Sequence, residues 1–396
     1  MHFCVKIALA QCIFRKKLHL FSAFFVSYIY DKVNWSDRMV GITGPRGVGK
    51  TTLLLQYIKE KLNTDDTLYV TAEDFYFSNH RLTELADEFT KMGGRHLFID
   101  EIHKHEDWSR ELKLIYDYHK ELQVVFTDSS LLDITKGATA DLSRRAITYN
   151  MQGLSWREYL KMFHNIEIPQ YTLDDILQQK VSLPQGFRPL ALFRKYLRKG
   201  YYPFAGESNY EKRLFAVITK TLEVDIPQYA NLSASMSRKL RHLLAVIAES
   251  VPFKPNMTSL AQVLGVSRNN VADYLLFMEE AGMIGQLRDS TSGIRGLGKV
   301  NKVYLDNPNL IYTLVPEKAE TGNVCETFFY NQMRVNNEVI CSPVSDFLIN
   351  GHTFEVGGKG KGKKQIADLP DSYVVKDDIE YGYGNVIPLW AFGLNY

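Results

Sequence analysis

Cysteine is scarce in this chain, with four residues in 396, and no two of them form a C-x-x-C pair. A chain of this length can bury a hydrophobic core without disulfides, so the cysteine content favours a reducing, cytoplasmic compartment. The pattern gives no support to a zinc ribbon. The cysteines are Cys4, Cys12, Cys325 and Cys341.

The chain also lacks a marked excess of charge of either sign. Lys and Arg number 47 and Asp and Glu number 45, so the formal net charge is +2. This balance excludes a histone-like or tail-dominated nucleic-acid binder, although it is compatible with a local basic face. Hydrophobic residues make up 45 % and charged residues 23 %, as in globular proteins. The length predicts two or three domains.

The apolar run near the amino terminus, LHLFSAFFVSYIY at residues 18–30, is shorter than the roughly 20 residues that a membrane-spanning helix needs. It follows three basic residues but lacks a small-residue cleavage site. We therefore predict a leader helix over residues 1–30, buried against the fold. The alternative is a membrane-associated or poorly ordered leader, and no integral membrane role is expected.

Residues 31–150 alternate between short apolar runs and segments with helical periodicity. Such alternation predicts βαβ units around a parallel sheet, and apolar runs without polar alternation fit strands that are covered on both faces. The predicted strands are Met39–Thr43, Thr67–Val70, His96–Ile99 and Gln123–Thr127, and the predicted helices are Thr51–Leu62 and Asp107–Leu122.

The most specific motif is a match to G-x-x-x-x-G-K-[ST], which follows an apolar strand and opens a helix. Backbone N–H groups of such a loop cradle phosphates together with the helix N-terminus. Lys50 would reach the β- and γ-phosphates, and the Thr51 hydroxyl would ligate Mg²⁺. The predicted nucleotide-binding residues are Gly44, Pro45, Arg46, Gly47, Val48, Gly49, Lys50, Thr51 and Thr52.

A second apolar strand ends in Asp100 and Glu101, about 50 residues after the loop. We predict that Asp100 holds Mg²⁺, directly or through water, and that Glu101 activates the attacking water as general base. The next strand ends in a polar stretch in which Thr127 and Ser129 are candidate sensors of the γ-phosphate. The alternative is a plain helix cap, because Asp and Ser favour that position.

Two further polar features follow these strands. Arg145 could stabilise charge on the transferring phosphoryl group, in cis or on a neighbouring subunit; the alternative is a solvated basic pair with Arg144. His103 and His105 form a His-x-His pair, but the sequence shows no further ligand set at a sensible spacing. The predicted magnesium ligands are therefore Thr51 and Asp100 alone.

Taken in order, GPRGVGKTTLL, LFIDEIHK with Trp108 downstream, FTDSSLL and LSRRAITYNMQGLSWREYL resemble the AAA-type ATPases of prokaryotes. In these proteins a P-loop domain precedes a carboxyl-terminal domain of unknown function. The resemblance covers residue 38 to the end of the chain, and its ATPase motifs are the specific part.

The resemblance implies an α/β P-loop NTPase core of the ASCE type, with an extra strand between the phosphate loop and the acidic strand. It assigns nucleotide contacts to Gly44–Thr52, magnesium to Thr51 and Asp100, and water activation to Glu101. The family commonly shows Gly-Ser after the fourth strand, whereas this chain has Asp128-Ser129.

The carboxyl-terminal half predicts a helical extension at 151–252 and a winged helix-turn-helix at 253–315. Ser267 is a plausible N-cap for its second helix. In a DNA reader that helix would present Arg268, Asn269 and Asn270 to the bases, with the wing lysines Lys299 and Lys302 beside them. The alternative is a packing or lid module.

The last predicted domain spans residues 316–396. Within it, residues 346–366 carry Asp346 and then Glu-x-x-x-Lys on a predicted strand pair, and this pattern resembles the PD-(D/E)XK nuclease core. Asp346, Glu355 and Lys359 would supply its acids and lysine, with His352 nearby. The usual Glu-x-Lys spacing is broken, so we predict a nuclease-like α/β fold that has lost catalysis. The Gly/Lys stretch at 357–364 could instead be a basic loop that touches phosphate.

Together these features predict ATP binding and Mg²⁺-dependent hydrolysis that drives conformational change of the carboxyl-terminal domains. One alternative is a nucleotide-gated DNA- or protein-binding module with little turnover, and a weaker one is a DNA-directed nuclease. The predicted partners are ATP and either DNA or a protein, and an oligomer is compatible with the sequence.

Overall fold

The computed structural model describes residues 14–16, 18–19, 25–128, 142, 144–230, 232–289, 299–362, 365–367 and 369–396. The chain divides into two compact units, Met1–Gln152 and Gly153–Tyr396. Among the described residues, no helix has both the length and the apolar character that crossing a membrane would require.

The described part of the first unit is built on a five-stranded parallel sheet in the order β2-β3-β4-β1-β5. The predicted parallel α/β fold is confirmed, and β4 lies between β1 and β3. The architecture fits an α/β P-loop NTPase core. The elements are β1 Met39–Thr43, α1 Lys50–Lys61, β2 Thr67–Thr71, α2 Leu82–Lys91, β3 His96–Asp100, α3 Trp108–Tyr118, β4 Gln123–Thr127 and β5 Ile147–Asn150.

Apolar side chains cover both faces of this sheet, because successive residues of a strand point to opposite sides. Met39 of β1 packs with residues of α2 and α3, including Phe89 and Leu112. Its neighbour Val40 packs on the other side with α1, including Leu54. Strands without polar alternation are therefore the pattern that this doubly covered sheet requires.

The described residues of the predicted leader pack on the first unit. Phe14 and Leu18 are buried in the same cluster as α1, and the Phe14 ring stacks on Tyr69 with centroids 6.0 Å apart. Arg15 forms an exposed ion pair with Asp65 at 2.8 Å. Residues 1–13, 17 and 20–24 lie outside the described part of the chain, so the leader as a whole stays a prediction.

The second unit combines helices with an antiparallel hairpin and a mixed sheet. Its described helices are α4 Trp156–His164, α5 Leu173–Leu177, α6 Pro189–Arg198, α7 Tyr210–Lys220, α8 Ile226–Ala230, α9 Ala234–Ala248, α10 Met257–Leu264, α11 Arg268–Glu280, α12 Pro308–Leu314, α13 Thr321–Met333 and α14 Leu389–Phe392. Its described strands are β6 Ile284–Arg288, β7 Val300–Leu305, β8 Ile340–Cys341, β9 Phe347–Ile349, β10 His352–Gly357, β11 Ser372–Lys376 and β12 Val386–Pro388.

Helices α10 and α11 form the two-helix pattern expected from the sequence, and capping residues explain where they end. Gly265 closes α10 in the left-handed conformation with φ 60°, which costs glycine little. The Ser267 hydroxyl accepts a hydrogen bond from the Asn270 N–H and so caps α11. Strands β6 and β7 follow as an antiparallel hairpin, and Phe253 bridges to Val303 of β7.

A buried asparagine joins segments that the sequence analysis separates. The Asn309 Oδ1 accepts hydrogen bonds from the N–H groups of Gly200 and Tyr201 at 2.9 and 3.0 Å, and its amide donates to the Leu197 carbonyl at 2.9 Å. The helical region and the segment after the hairpin therefore pack in one unit. The predicted boundaries at 252 and 315, which would lie within this unit, stay predictions.

The carboxyl-terminal sheet has the order β12-β11-β10-β9-β8. β8, β9 and β10 are antiparallel neighbours, whereas β10, β11 and β12 are parallel. Phe329 of α13 packs on Phe354 of β10 at 5.2 Å between ring centroids, so this helix lies against the middle of the sheet.

Gly44, which directly follows β1, lies in a closely packed part of the first unit. Gly44 has φ 142°, and a Cβ there would lie 2.1 Å from the Met151 carbonyl oxygen. Gly93 also has a positive φ, 89°, but no described atom would lie within 4 Å of its Cβ. We expect Gly44→Ala to lower the free energy of unfolding by about 3 kcal/mol or more, and Gly93→Ala by about 1 kcal/mol.

Urea denaturation of the two variants measures this difference. Equal losses of stability would contradict the close approach of Met151 to Gly44, because both substitutions carry a cost of backbone conformation and Gly44→Ala alone adds the clash.

Candidate functional site

The loop between β1 and α1 has the backbone geometry of a phosphate cradle. Gly44, Gly47 and Gly49 all have positive φ values, 142°, 86° and 107°, a conformation that side chains other than glycine rarely adopt. Helix α1 begins directly after them at Lys50. The first turn of a helix has N–H groups without intrahelical partners, and these attract anions.

Lys50 is buried at the centre of this loop. Its Nζ donates hydrogen bonds to the carbonyl oxygens of Gly44 and Pro45 at 2.7 and 2.8 Å. Burial lowers the pKa of Lys50, and the negative charges at the ends of β3 and β4, Glu101 foremost, act in the opposite direction. The Lys50 ammonium group thus lies between the loop carbonyls and the carboxylates of Glu101, Asp128 and Asp100. A polyphosphate bound in the loop would contact it there.

Asp100 joins three elements through its carboxylate. Its Oδ2 accepts hydrogen bonds from the Thr51 and Tyr69 hydroxyls, both at 2.7 Å, and its Oδ1 accepts one from the Thr127 hydroxyl. The structure thus brings together the two predicted magnesium ligands, Thr51 and Asp100. A hydroxyl beside a carboxylate fits Mg²⁺, which takes few protein oxygens and completes its shell with phosphate and water.

No cluster of three or more His, Cys, Asp or Glu side chains suited to a metal occurs in the part of the chain that the structure describes. His103 and His105, for which the sequence shows no further ligand set, therefore belong to no such cluster among these residues. His105 instead approaches Glu111, with Nε2 and Oε1 3.1 Å apart.

Glu101 lies next to Asp100 in an uncommon backbone conformation, with φ 53° and ψ 47°. A left-handed residue other than glycine costs about 1–2 kcal/mol, and such residues cluster at functional sites. The Glu101 N–H donates to the Thr127 hydroxyl at 2.9 Å, and its Oε2 lies 3.9 Å from Arg46 and 3.5 Å from His103. The carboxylate is therefore aimed toward the phosphate loop.

The candidate sensors differ in what the structure describes. Thr127 is fully buried and bridges Asp100 and the Glu101 backbone, so its hydroxyl joins the site. Ser129 lies outside the described residues.

Arg145 lies away from the phosphate loop. Its guanidinium forms a double contact with the Asp117 carboxylate at 3.0 and 3.1 Å. Asp117 lies at the end of α3, just before β4, and Arg145 lies just before β5, so both are at the amino edge of the parallel strands. The loop follows the carboxyl end of β1, so in this structure Arg145 does not reach it within one chain. A role across subunits stays a prediction.

Three further residues contribute side chains to the site. Tyr69 contacts Asp100 as described above. Asp128 is fully buried, and its Oδ1 lies 2.9 Å from the Nδ1 of His103. The topology offered a signal for these two, because Asp128 and His103 follow neighbouring strands whose carboxyl ends share one edge.

Residues 36–160 match the family model of an AAA domain. The AAA domain and the parallel sheet together support an AAA-type P-loop ATPase in this part of the chain. Residues 190–321 match a model that is described only as a domain of unknown function. The comparison with curated proteins found no match.

The predicted DNA-reading residues of the second unit do not share one environment. Arg268 and Asn269 are exposed at the start of α11, and Lys299 is exposed beside β7. Lys302 instead contacts two carboxylates, Glu326 at 3.3 Å and Asp346 at 3.0 Å. Lys302 lies on β7 of the hairpin, but its ammonium group turns toward Glu326 and Asp346 and is not presented as the expected DNA-contacting lysine.

A cluster of charged side chains, which we call the acid–lysine cluster, consists of Lys302, Glu326, Asp346, Glu355 and Lys361. The Lys361 ammonium lies 2.7 Å from Glu355 and 3.5 Å from Asp346. Burial, together with the charge of Asp346, raises the pKa of Glu326 although Lys302 opposes this. Two ammonium groups thus lie among three carboxylates.

The lysine that contacts Glu355 is Lys361 rather than the expected Lys359. Lys359 is 72 % exposed and lies 3.8 Å from Asp378. The chain reverses direction in the Gly-rich turn after β10. Lys361, six residues after Glu355, therefore reaches the Glu355 carboxylate.

Substitution of the two lysines tests this assignment. Lys361→Met leaves the buried Glu355 carboxylate with one charged partner fewer, so we expect the free energy of unfolding to fall by about 2–3 kcal/mol at neutral pH. Lys359→Met removes an exposed pair and should change it by less than about 0.5 kcal/mol. Urea denaturation compares them, and equal effects would contradict the cluster.

Proposed function

We propose that the AAA domain binds ATP and hydrolyses it with Mg²⁺, and that turnover drives conformational change in the second unit. The observation that carries this proposal is the Asp100 carboxylate, which contacts the Thr51 hydroxyl of the phosphate loop while the adjacent Glu101 is directed toward the loop. The AAA match over residues 36–160 supports the same reading.

Nucleotide binding follows from the loop. The N–H groups at the start of α1 and the Lys50 ammonium would hold the phosphates, and Thr51 and Asp100 would hold Mg²⁺ as oxygen ligands. Bound Mg²⁺ neutralises charge on the β- and γ-phosphates. Lys50 would exchange its contacts with the Gly44 and Pro45 carbonyls for phosphate oxygens of greater charge.

Hydrolysis requires a base that orients a water molecule on the γ-phosphate. Glu101 fits this role because its side chain remains 19 % exposed, whereas Asp100 is occupied by three hydroxyls. Thr127 contacts both residues and would transmit the state of the γ-phosphate between them. Its hydroxyl is thus the better supported of the two sensor candidates.

The alternative is a nucleotide-gated module in which occupancy alone changes conformation. Measured turnover separates the two functions.

For the partner, we infer that α10, α11 and the β6–β7 hairpin form a winged helix that binds a protein rather than DNA. Two cations of its strands are paired with carboxylates: Lys302 contacts Glu326 and Asp346, and Arg288 contacts Glu279 at 2.7 Å. Affinity for DNA rests mainly on unpaired cations near phosphates.

For the carboxyl-terminal sheet, we infer a nuclease-like fold without cleavage. Nuclease acids hold Mg²⁺ between them, and here the Lys302 and Lys361 ammonium groups contact Asp346 while Lys361 contacts Glu355. Ammonium groups among the carboxylates neutralise the charge that would attract a divalent cation.

Glu101→Gln tests the assignment of the base. The amide keeps the shape of the side chain but cannot accept a proton, so we expect steady-state phosphate release to fall by about 100-fold or more while ATP binding persists. Lys50→Ala serves as the comparison, because it should weaken ATP binding itself. Phosphate release and the Kd for a fluorescent ATP analogue are the measurements.

Unaltered turnover in Glu101→Gln would remove the proposed base. Unaltered nucleotide affinity in Lys50→Ala would remove the phosphate-loop assignment. Nucleotide binding without turnover in the unsubstituted protein would favour the gated module.

To test whether the partner is DNA, the ATPase rate is measured with and without duplex DNA at about 50 and about 200 mM salt. Contacts between cations and DNA phosphates weaken strongly over this range. We expect no stimulation at either concentration, because Arg288 and Lys302, two cations of the hairpin strands, are paired with carboxylates. Stimulation that falls with salt, and that Arg268→Ala abolishes, would overturn the protein-partner inference.

The nuclease-like sheet is tested by incubating the protein with plasmid, Mg²⁺ and ATP. We expect the plasmid to remain intact.

A further inference from the structure

We propose that His103 is a positioning residue for ATP hydrolysis, which links Asp128 to Glu101 and holds the Glu101 carboxylate in its reactive orientation. The inference rests on the proposed function and deepens it. It concerns a residue that no motif assigns and that the sequence analysis considered only as a metal ligand.

The geometry places His103 between two carboxylates. Its Nδ1 lies 2.9 Å from the Asp128 Oδ1 and its Nε2 lies 3.5 Å from the Glu101 Oε2. The two ring nitrogens thus face different acids, one at the end of β4 and the other at the end of β3. The ring therefore lies between two ion-pair partners.

Burial strengthens this link. The His103 side chain is 7 % exposed and Asp128 is fully buried. Burial acts to lower the pKa of His103, but the contact with Asp128 and the charges of Asp128 and Glu101 outweigh it, so that the pKa is raised in spite of nearby Lys104. Protonated imidazole donates from both nitrogens, as a bridge between two carboxylates requires.

The position of Glu101 explains why such a bridge is useful. Its backbone is left-handed, and its N–H donates to the Thr127 hydroxyl. This contact fixes the position of the backbone but not that of the carboxylate. Two cations approach the same Oε2, Arg46 from the phosphate loop and His103 from the end of β3. Arg46 belongs to the loop that would contact the nucleotide. His103 follows β3, so it is the one of these two contacts that does not depend on the loop.

Asp128 also receives a role from this arrangement. Asp128 directly follows β4, and its carboxylate is fully buried. A buried carboxylate needs a charged or hydrogen-bonding partner, and His103 supplies it. Asp128 and His103 thus form one pair beside the proposed base, Glu101.

The chain offers a matched control in His105. It lies two residues along the chain, is similarly buried with 8 % of its side chain exposed, and also contacts a carboxylate, Glu111, at 3.1 Å. It contacts Glu111 rather than Glu101. A merely structural role for a buried histidine would therefore apply to both residues, and a positioning role to His103 alone.

The experiment measures kcat and KM for ATP hydrolysis, the Kd of an ATP analogue and the melting temperature of the full chain. We expect His103→Leu to lower kcat by about 10–100-fold, since small misplacement of a catalytic group has effects of this size, while Kd changes less than about twofold. His103→Gln keeps a side-chain donor and should recover part of kcat. His105→Gln should leave kcat unchanged.

Two further variants keep the test independent of folding. Asp128→Asn should lower kcat in the same direction as His103→Leu, because it weakens the other end of the bridge. In Glu101→Gln, adding His103→Leu should cause no further loss, because a positioning residue acts only through its target.

The outcomes are distinguishable from failure of the proposed function. Unsubstituted protein that hydrolyses ATP, with His103→Leu and Asp128→Asn at the unsubstituted kcat, would overturn the role of His103 alone. A fall in kcat that His105→Gln reproduces would do the same. Absence of turnover in the unsubstituted protein would overturn the proposed hydrolysis and this inference with it.

Discussion

The Asp100 carboxylate is the interaction on which the candidate site depends. It accepts hydrogen bonds from Thr51 of α1, Tyr69 of β2 and Thr127 of β4, and so ties the phosphate loop to strands on either side of β3. A buried charge is stable only when such partners satisfy it. Because Thr127 also accepts the N–H of Glu101, the placement of the proposed base depends on the same carboxylate.

Buried carboxylates at the phosphate loop and in the acid–lysine cluster have different partners, and the partners give them different chemistry. At the phosphate loop, Asp100 is contacted by hydroxyls, which leave its negative charge to attract a hard cation. In the acid–lysine cluster, Asp346 and Glu355 are contacted by ammonium groups, which compensate the charge directly. The same residue types thus favour Mg²⁺ in one unit and a self-contained ion-pair network in the other.

That network also bears on how the second unit responds as a whole. Lys302 of β7 contacts Glu326 of α13 and Asp346 before β9, so the hairpin is held to the carboxyl-terminal sheet by charge. Asn309 holds the segment after the hairpin to the helical region through backbone groups. Movement of any of these segments would have to break buried polar contacts, so we expect them to move together.

Local pattern was enough to determine the loop between β1 and α1, the parallel strands with their terminal acids, and the two capped helices α10 and α11, because each depends on residues close in sequence. Only the tertiary structure decided that Lys361 rather than Lys359 contacts Glu355 and that the Lys302 side chain contacts Glu326 and Asp346. It likewise decided that His103 contacts Asp128 and that Arg145 lies at the opposite edge of the parallel sheet. These contacts join side chains from different elements. Their direction follows from how strands and turns pack, which sequence spacing does not specify.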